Sequence, residues 1–265
     1  MPLRNTAGYR RAIPWAGCVA VAAIALAPCT PASAIAGGHP AAAGEVHSVV
    51  QITGALSPCN GTILTPRAVL TAAHCLIGVE RPTNLGILYG STDTGAGTPI
   101  EVSDAAVNEG FNPMLGLGDI AVLTLAEPIV FGPTAQPADL PPQGQDPAIG
   151  DFAVIAGWGA TEPNGSQSPT LQVGTALIIP RAHCLVPAAV LGLLGDIVCI
   201  SGAGTARPCI GDSGGPMLYT PPGAPRPQVV GVTSNGMPCG HEFTTHAAYT
   251  RVGHFSTWIQ DHLPD

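Results

Sequence analysis

Cys209-Ile210-Gly211-Asp212-Ser213-Gly214-Gly215-Pro216 is the stretch from which the whole chain is best read. Glycine reaches backbone angles closed to other residues and lets another molecule approach the main chain closely. Successive N–H groups in such a turn can converge on one point and hold a developing negative charge. Ser213 is therefore a candidate nucleophile, and the N–H groups of Gly211 and Ser213 are a candidate oxyanion hole. The same eight residues also read as an ordinary glycine-rich turn, so the decision falls to the rest of the chain.

A serine hydroxyl is a poor nucleophile until a base removes its proton. Imidazole titrates near neutral pH and can take that proton and return it to a leaving group. His74, in Thr71-Ala72-Ala73-His74-Cys75, follows a β-type run, and Ala-Ala-His-Cys can close one helical turn. A carboxylate on the other ring nitrogen would fix the tautomer and stabilise the imidazolium. Asp119 opens the apolar run Ile120–Leu125. It reads either as a solvated strand end or as a carboxylate buried against a partner that needs its charge.

Around these residues the pattern is that of many short strands. Strands are predicted at 49–52, 61–64, 68–71, 87–89, 100–102, 152–159, 171–179 and 228–233, with a hairpin turn at Pro66-Arg67. Residues 132–150 are rich in proline and glycine and read as a connector between two halves. A short helix is expected between Cys184 and Cys199. A second is expected over 255–263, with Phe255, Trp258, Ile259 and His262 on one face. No repeat, coiled coil or phosphate-binding glycine loop appears.

The 265 residues suffice for a substantial core. Lysine is absent, and the formal net charge is −8. Three of the nine arginines (Arg4, Arg10, Arg11) crowd the N-terminus, which leaves a strongly acidic body. Such a body argues against a nucleic-acid or anionic-membrane partner. The basic start, the apolar run 16–27 and the small-x-small pattern Ala32-Ser33-Ala34 read together as a secretory signal peptide over residues 1–34. The apolar run is short for a membrane span. Beyond it lie six cysteines: Cys59, Cys75, Cys184, Cys199, Cys209 and Cys239. An even number in an exported chain suggests three disulfides, with fifteen pairings open. No Cys-x-x-Cys pair supports the metal-binding alternative.

With these residues in hand, the chain resembles the trypsin/chymotrypsin family of serine proteases, in an exported, bacterial-type form. Five pieces carry the resemblance in the family's order: Ile35-Ala36-Gly37-Gly38, Thr71-Ala72-Ala73-His74-Cys75, Asp119-Ile120-Ala121-Val122-Leu123, Gly157-Trp158-Gly159 and Gly211-Asp212-Ser213-Gly214-Gly215-Pro216. Gly211-Asp212-Ser213-Gly214-Gly215 also matches the nucleophile elbow of α/β-hydrolases. That fold places its acid and histidine after the serine, whereas here they precede it.

The resemblance implies an all-β fold of two six-stranded antiparallel barrels with a short C-terminal helix, spanning 35–265. It implies a catalytic triad of His74, Asp119 and Ser213, and disulfides Cys59–Cys75, Cys184–Cys199 and Cys209–Cys239. It implies that Asp212 receives the new α-amino group of Ile35, coupling N-terminal cleavage to formation of the oxyanion hole. Ser234, Asn235 and Gly236 would line the substrate backbone, with Ser234 also beside Asp119. No metal or cofactor is implied, and Ile87 and Gly97 stand where the trypsin calcium loop carries acids. The expected partners are protein or peptide substrates, met by a secreted monomer with no stable membrane insertion. Signal removal after Ala34 would itself expose Ile35, with no room for a propeptide.

The chain departs from the family at Arg207, which falls at the base of the primary specificity pocket. Either Arg207 selects Glu or Asp before the scissile bond through a charge-assisted pair, or it swings away and leaves a small or blocked pocket. Pro208 and Ala247 narrow that pocket, and His246 lies beside it. Asn235 replaces a tryptophan that usually forms an apolar shelf. Two other readings share the same motifs: a catalytically silent binding protein, and an esterase with weak peptidase activity. Asn60-Gly61-Thr62 and Asn164-Gly165-Ser166 have the form of glycosylation sequons.

Overall fold

A computed structural model describes residues 35–160, 162, 165–184, 194–201, 206–235 and 246–264. The described residues form thirteen strands and one α-helix. Six strands close the first barrel: β2 (Val49–Thr53), β3 (Cys59–Thr65), β4 (Ala68–Thr71), β5 (Gly86–Tyr89), β6 (Thr98–Val107) and β7 (Ala121–Leu125), in the order β2-β3-β4-β7-β6-β5. The second barrel is built from β8 (Phe152–Gly157), β9 (Gln172–Ile179), β10 (Ile197–Ser201), β11 (Pro216–Tyr219), β12 (Gln228–Asn235) and β13 (His246–Arg251). Its order is β9-β10-β13-β12-β11-β8, and pairing of β8 with β9 closes it. The two-residue strand β1 (His39–Pro40) joins the outer edge of β9.

Each barrel closes because it keeps one apolar face inside. Val50, Ile63, Leu70, Ile87 and Leu123 fill the first, and Ile155, Ile178, Ile200, Met217 and Tyr249 fill the second. Each such side chain contributes about 1.5–3 kcal/mol on burial, before the entropy of ordering is subtracted. Closure also removes the unpaired strand edges that an open sheet would present. Trp158 ties a further cluster together: it packs with Val49, Leu171 and Val173 while its indole N–H donates to Thr92 O at 2.7 Å.

Each predicted strand appears, most with shifted ends. Pro66-Arg67 does turn β3 into β4, in antiparallel register. Four strands escaped the sequence reading, the two-residue β1 among them. β11 is only four residues long and begins at a proline, a position where the missing N–H is tolerated. β10 and β13 are nearly buried throughout and therefore show no polar–apolar alternation.

Helix α1 (Val252–Asp261) begins three residues before the expected start, directly after β13. Its buried stripe is Val252, Ser256 and Ile259, not the expected Phe255-Trp258-Ile259-His262 face, whose other members are half-buried. Gly253 is required there, because a Cβ would lie 2.0 Å from Gln145 O. The expected helix after Cys184 falls largely outside the described residues. Its last turn, Leu194–Asp196, is a 3-10 turn.

Candidate active site

The register of the first barrel brings His74 and Asp119 together. β4 and β7 run antiparallel with Thr71 opposite Ala121. The chain leaving Thr71 and the chain approaching Ala121 therefore lie at the same end of the barrel. His74 sits in a 3-10 turn (Ala73–Leu76), and its neighbour Cys75 is bonded to Cys59 on β3. Asp119 is 2% exposed, so its carboxylate is not a solvated strand end. Its Oδ2 lies 2.7 Å from His74 Nδ1, and its Oδ1 accepts the His74 N–H at 2.8 Å. One carboxylate thus grips both the ring and the backbone of the same residue, which fixes the ring's orientation.

The second barrel completes this arrangement. Ser234 on β12 donates its hydroxyl to Asp119 Oδ2 at 2.5 Å, and Thr250 on β13 donates to Asp119 O at 2.9 Å. The serine loop hangs from the same strand. Gly214 N–H donates to Thr233 O at 2.8 Å, and Thr233 N–H returns to Gly215 O at 2.9 Å. Successive residues of β12 therefore hold the residue after Ser213 and the carboxylate behind His74. Gly214 has φ +74°, and a Cβ on it would fall 2.2 Å from Thr71 Oγ1. Glycine there lets the serine loop press against the strand end that leads into His74.

Asp212 occupies the base of the loop, 1% exposed. Its Oδ1 accepts the Gly159 N–H at 2.9 Å and its Oδ2 the Cys209 N–H at 2.7 Å. Burial is the dominant influence and pushes this carboxyl up to about 7, against the pull of those two N–H groups. The Gly157-Trp158-Gly159 motif now has a physical cause. A Cβ on Gly157 would sit 2.1 Å from Asp212 Oδ1, and one on Gly159 would sit 2.7 Å from Asp212 Cγ. Both glycines make room for the buried carboxylate.

Gly211 has φ +93°, and among the described residues neither its N–H nor that of Ser213 is engaged in a hydrogen bond. Two N–H groups, one on either side of Asp212, are thus uncommitted among the described residues. No hydrogen bond joins Ser213 Oγ to His74 Nε2 among the described residues. Such contacts are often long before a substrate is bound. Cys59, His74 and Cys75 place their ligand atoms within 4.8 Å of one another. The two sulfurs are bonded to each other, however, so neither is a thiolate able to hold a metal.

Ile35 is 1% exposed and packs among the second-barrel core residues. Ala36 and Arg207 exchange a pair of 3.0 Å main-chain bonds, which seats Ile35 close to the start of the serine loop. The chain continues before Ile35, so its nitrogen is a peptide N–H, and no bond joins it to Asp212 among the described residues. Arg207 itself is half-buried. Asn235 ends β12 opposite Ala248. Residues 1–34, Gly236, Cys239 and Asn164 lie outside the described residues. Cys184–Cys199 is bonded as expected, and Cys209 is disulfide-bonded. Asn60 is 1% exposed, so the 60–62 sequon offers no acceptor in the folded chain. Sequence reasoning missed the holding roles of Thr71, Thr250 and Asn60, whose side chains are buried in strands and whose partners lie far off in sequence.

The protein-family model that matches this chain is Trypsin, over residues 35–259. Human serine protease 56 is 33% identical over 239 residues, which are 86% of this chain but 38% of that protein. Trypsin Tyr p 3.0101 of Tyrophagus putrescentiae is 30% identical, covering 85% of this chain and 79% of its own length. Trypsin Blo t 3 of Blomia tropicalis is 31% identical, covering 85% of both. Nothing in these relatives supports the bacterial-type expectation. Two closed barrels, an ordered run of five motifs and this match over most of the length lead to one conclusion: the chain belongs to the trypsin family of serine proteases.

Proposed function

We propose that the protein is a secreted serine endopeptidase that cleaves peptide bonds through an acyl-enzyme. The observation that carries this reading is the buried Asp119 carboxylate, bonded at once to His74 Nδ1, the His74 N–H and the Ser234 hydroxyl. It commits His74 Nδ1 as a donor and leaves Nε2 as the basic nitrogen. His74 Nε2 takes the Ser213 proton as Oγ attacks the scissile carbonyl, and later delivers it to the leaving amine. The Gly211 and Ser213 N–H groups receive the oxyanion. Water, activated by the same imidazole, then releases the acyl group. The fluorophosphonate reaction tests this. Covalent labelling of the processed enzyme, lost in Ser213→Ala, is expected together with hydrolysis of amide as well as ester substrates. Equal labelling of parent and variant would favour a silent binding protein, and ester hydrolysis alone would favour an esterase.

Residues 1–34 direct export, and the signal-peptidase cut after Ala34 frees Ile35. Its α-ammonium group then pairs with Asp212, whose buried carboxyl accepts two N–H groups among the described residues. N-terminal sequencing of the exported protein should begin at Ile35, and a start upstream would require a second protease. Ser234, Asn235 and Gly236 line the substrate backbone. With Arg207 at the pocket base, cleavage does not follow Lys or Arg, and an acidic side chain before the scissile bond is preferred. A peptide library varied at that position should enrich Glu and Asp, with the preference lost in Arg207→Ser. Cleavage after small or apolar residues would turn Arg207 away from the pocket.

A further inference from the structure

Asn60 has no part in the chemistry described above, yet it holds the serine loop at two points. It is the second residue of β3, and three bonds converge on it. Its N–H donates to Ser213 O at 2.7 Å, its side-chain Nδ2–H donates to Gly211 O at 2.8 Å, and its own carbonyl accepts the Thr71 hydroxyl at 2.7 Å. Gly211 sits at φ +93° and, lacking a Cβ, is the natural hinge of the loop.

A peptide unit is planar, so fixing its carbonyl fixes the direction of its N–H. The unit before Gly211 is held on one side, because Ala160 N–H donates to Ile210 O at 2.7 Å. The opposite side of that unit is the Gly211 N–H itself. The unit after Gly211 is held at both ends: the Asn60 side chain donates to Gly211 O, and the Asp212 N–H of the same unit turns back to Cys209 O at 3.1 Å. Without the side-chain bond, a buried carbonyl loses its donor, and the hinge regains freedom at the residue whose N–H must meet the oxyanion.

We infer that Asn60 is a positioning residue of the oxyanion hole: its Nδ2–H pins the Gly211 carbonyl and so fixes, across the hinge at Gly211, the angle between the peptide unit that carries the Gly211 N–H and the rest of the serine loop. This rests on the reading of Ser213 as nucleophile. It gives the Asn60-Gly61-Thr62 stretch a function other than sugar attachment. It also links the hole to the first barrel, since Asn60 is neighbour to the Cys59–Cys75 bridge and is bonded to Thr71.

The test compares parent, Asn60→Gly and Asn60→Asp in the exported, processed enzyme. Glycine keeps both main-chain bonds and removes the side chain. Aspartate keeps the size and turns the donor into an acceptor facing a carbonyl. The end point of fluorophosphonate labelling counts the competent sites, so partial misfolding does not enter the rates. Per competent site, kcat for an amide substrate should fall about 10- to 100-fold, the scale of a small misplacement of a catalytic group. KM should stay within about twofold, the acid limb of the kcat/KM–pH profile should not move, and aspartate should be the worse variant. An unchanged kcat per competent site in Asn60→Gly overturns the inference, as does a loss expressed only in KM or in a displaced acid limb. A parent enzyme that labels no better than Ser213→Ala removes the nucleophile reading itself, an outcome distinct from a reactive parent with an indifferent Asn60.

Discussion

The two halves of the site are held by different means. On the first-barrel side, a disulfide anchors the turn carrying His74, and side chains do the rest. Asp119 grips His74, while Ser234 and Thr250 grip Asp119. On the second-barrel side, the loop around Ser213 is held by main-chain bonds together with the side chains of Asn60, Asp212 and Thr233, whose hydroxyl donates to Gly215 O at 3.0 Å. Beneath it lies Asp212, buried and short of a cation, its carboxyl pushed up to about 7. The first half is complete as folded, while the second is built around a carboxylate that a positive charge would finish.

Three substitutions separate the halves. The largest effect is expected from Asp119→Asn, which keeps the shape but removes the charge that fixes the His74 tautomer. The kcat for amide hydrolysis should fall on the order of 10⁴-fold. A loss below tenfold would mean that the pair at 2.7 Å does not serve the reaction.

The second concerns Asp212 in a chain still carrying residues ahead of Ile35. A carboxyl raised by burial holds its proton more tightly folded than unfolded. Its share of stability is therefore fully present below pH 3.8, declines as pH rises towards about 7, and is absent above that. The decline amounts to at most roughly 4 kcal/mol. Urea melts at pH 4 and pH 8 should show a larger loss in the uncleaved parent than in its Asp212→Asn variant. The cleaved enzyme should lose less than the uncleaved one at pH 8. Equal losses in parent and variant would mean that the carboxylate already has a counter-charge.

The smallest effect is expected from Ser234→Ala, which removes one of several bonds to Asp119. A hydrogen bond to a charged group contributes about 1.5–3 kcal/mol, and the neighbouring N–H and ring still hold the carboxylate. A fall of about tenfold in kcat/KM, with little change in urea midpoint, would match that picture. A collapse in stability would instead make Ser234 part of the frame that joins the barrels.

Much of this was legible in the residues, because the chemistry of each motif is local. Gly211 to Gly215 announces a turn with exposed N–H groups, and Thr71 to Cys75 announces a histidine on a short helical turn. The strands with alternating or bounded apolar runs were legible for the same reason. The half-hidden parts are those whose cause lies elsewhere in the chain. Nothing near Gly157 tells that its missing Cβ makes room for Asp212, 55 residues later. Asn60 reads as a sequon until its burial and its bond to Gly211 are seen. α1 starts early because Val252 and Ser256 face the core, which the sequence pattern around Phe255 and Trp258 obscures.

The sequence alone therefore determined the family resemblance, the two-barrel expectation and the choice of His74, Asp119 and Ser213 as the candidate triad. Their residue types and order admit little else. Tertiary structure alone decided which choice Asp119 takes, since burial against His74 depends on the Thr71–Ala121 register and not on the residues beside it. It likewise decided how the serine loop is held, because hydrogen bonds between strands far apart in sequence depend on closure of the barrels. A motif specifies the groups that react, and the fold specifies the directions in which they point.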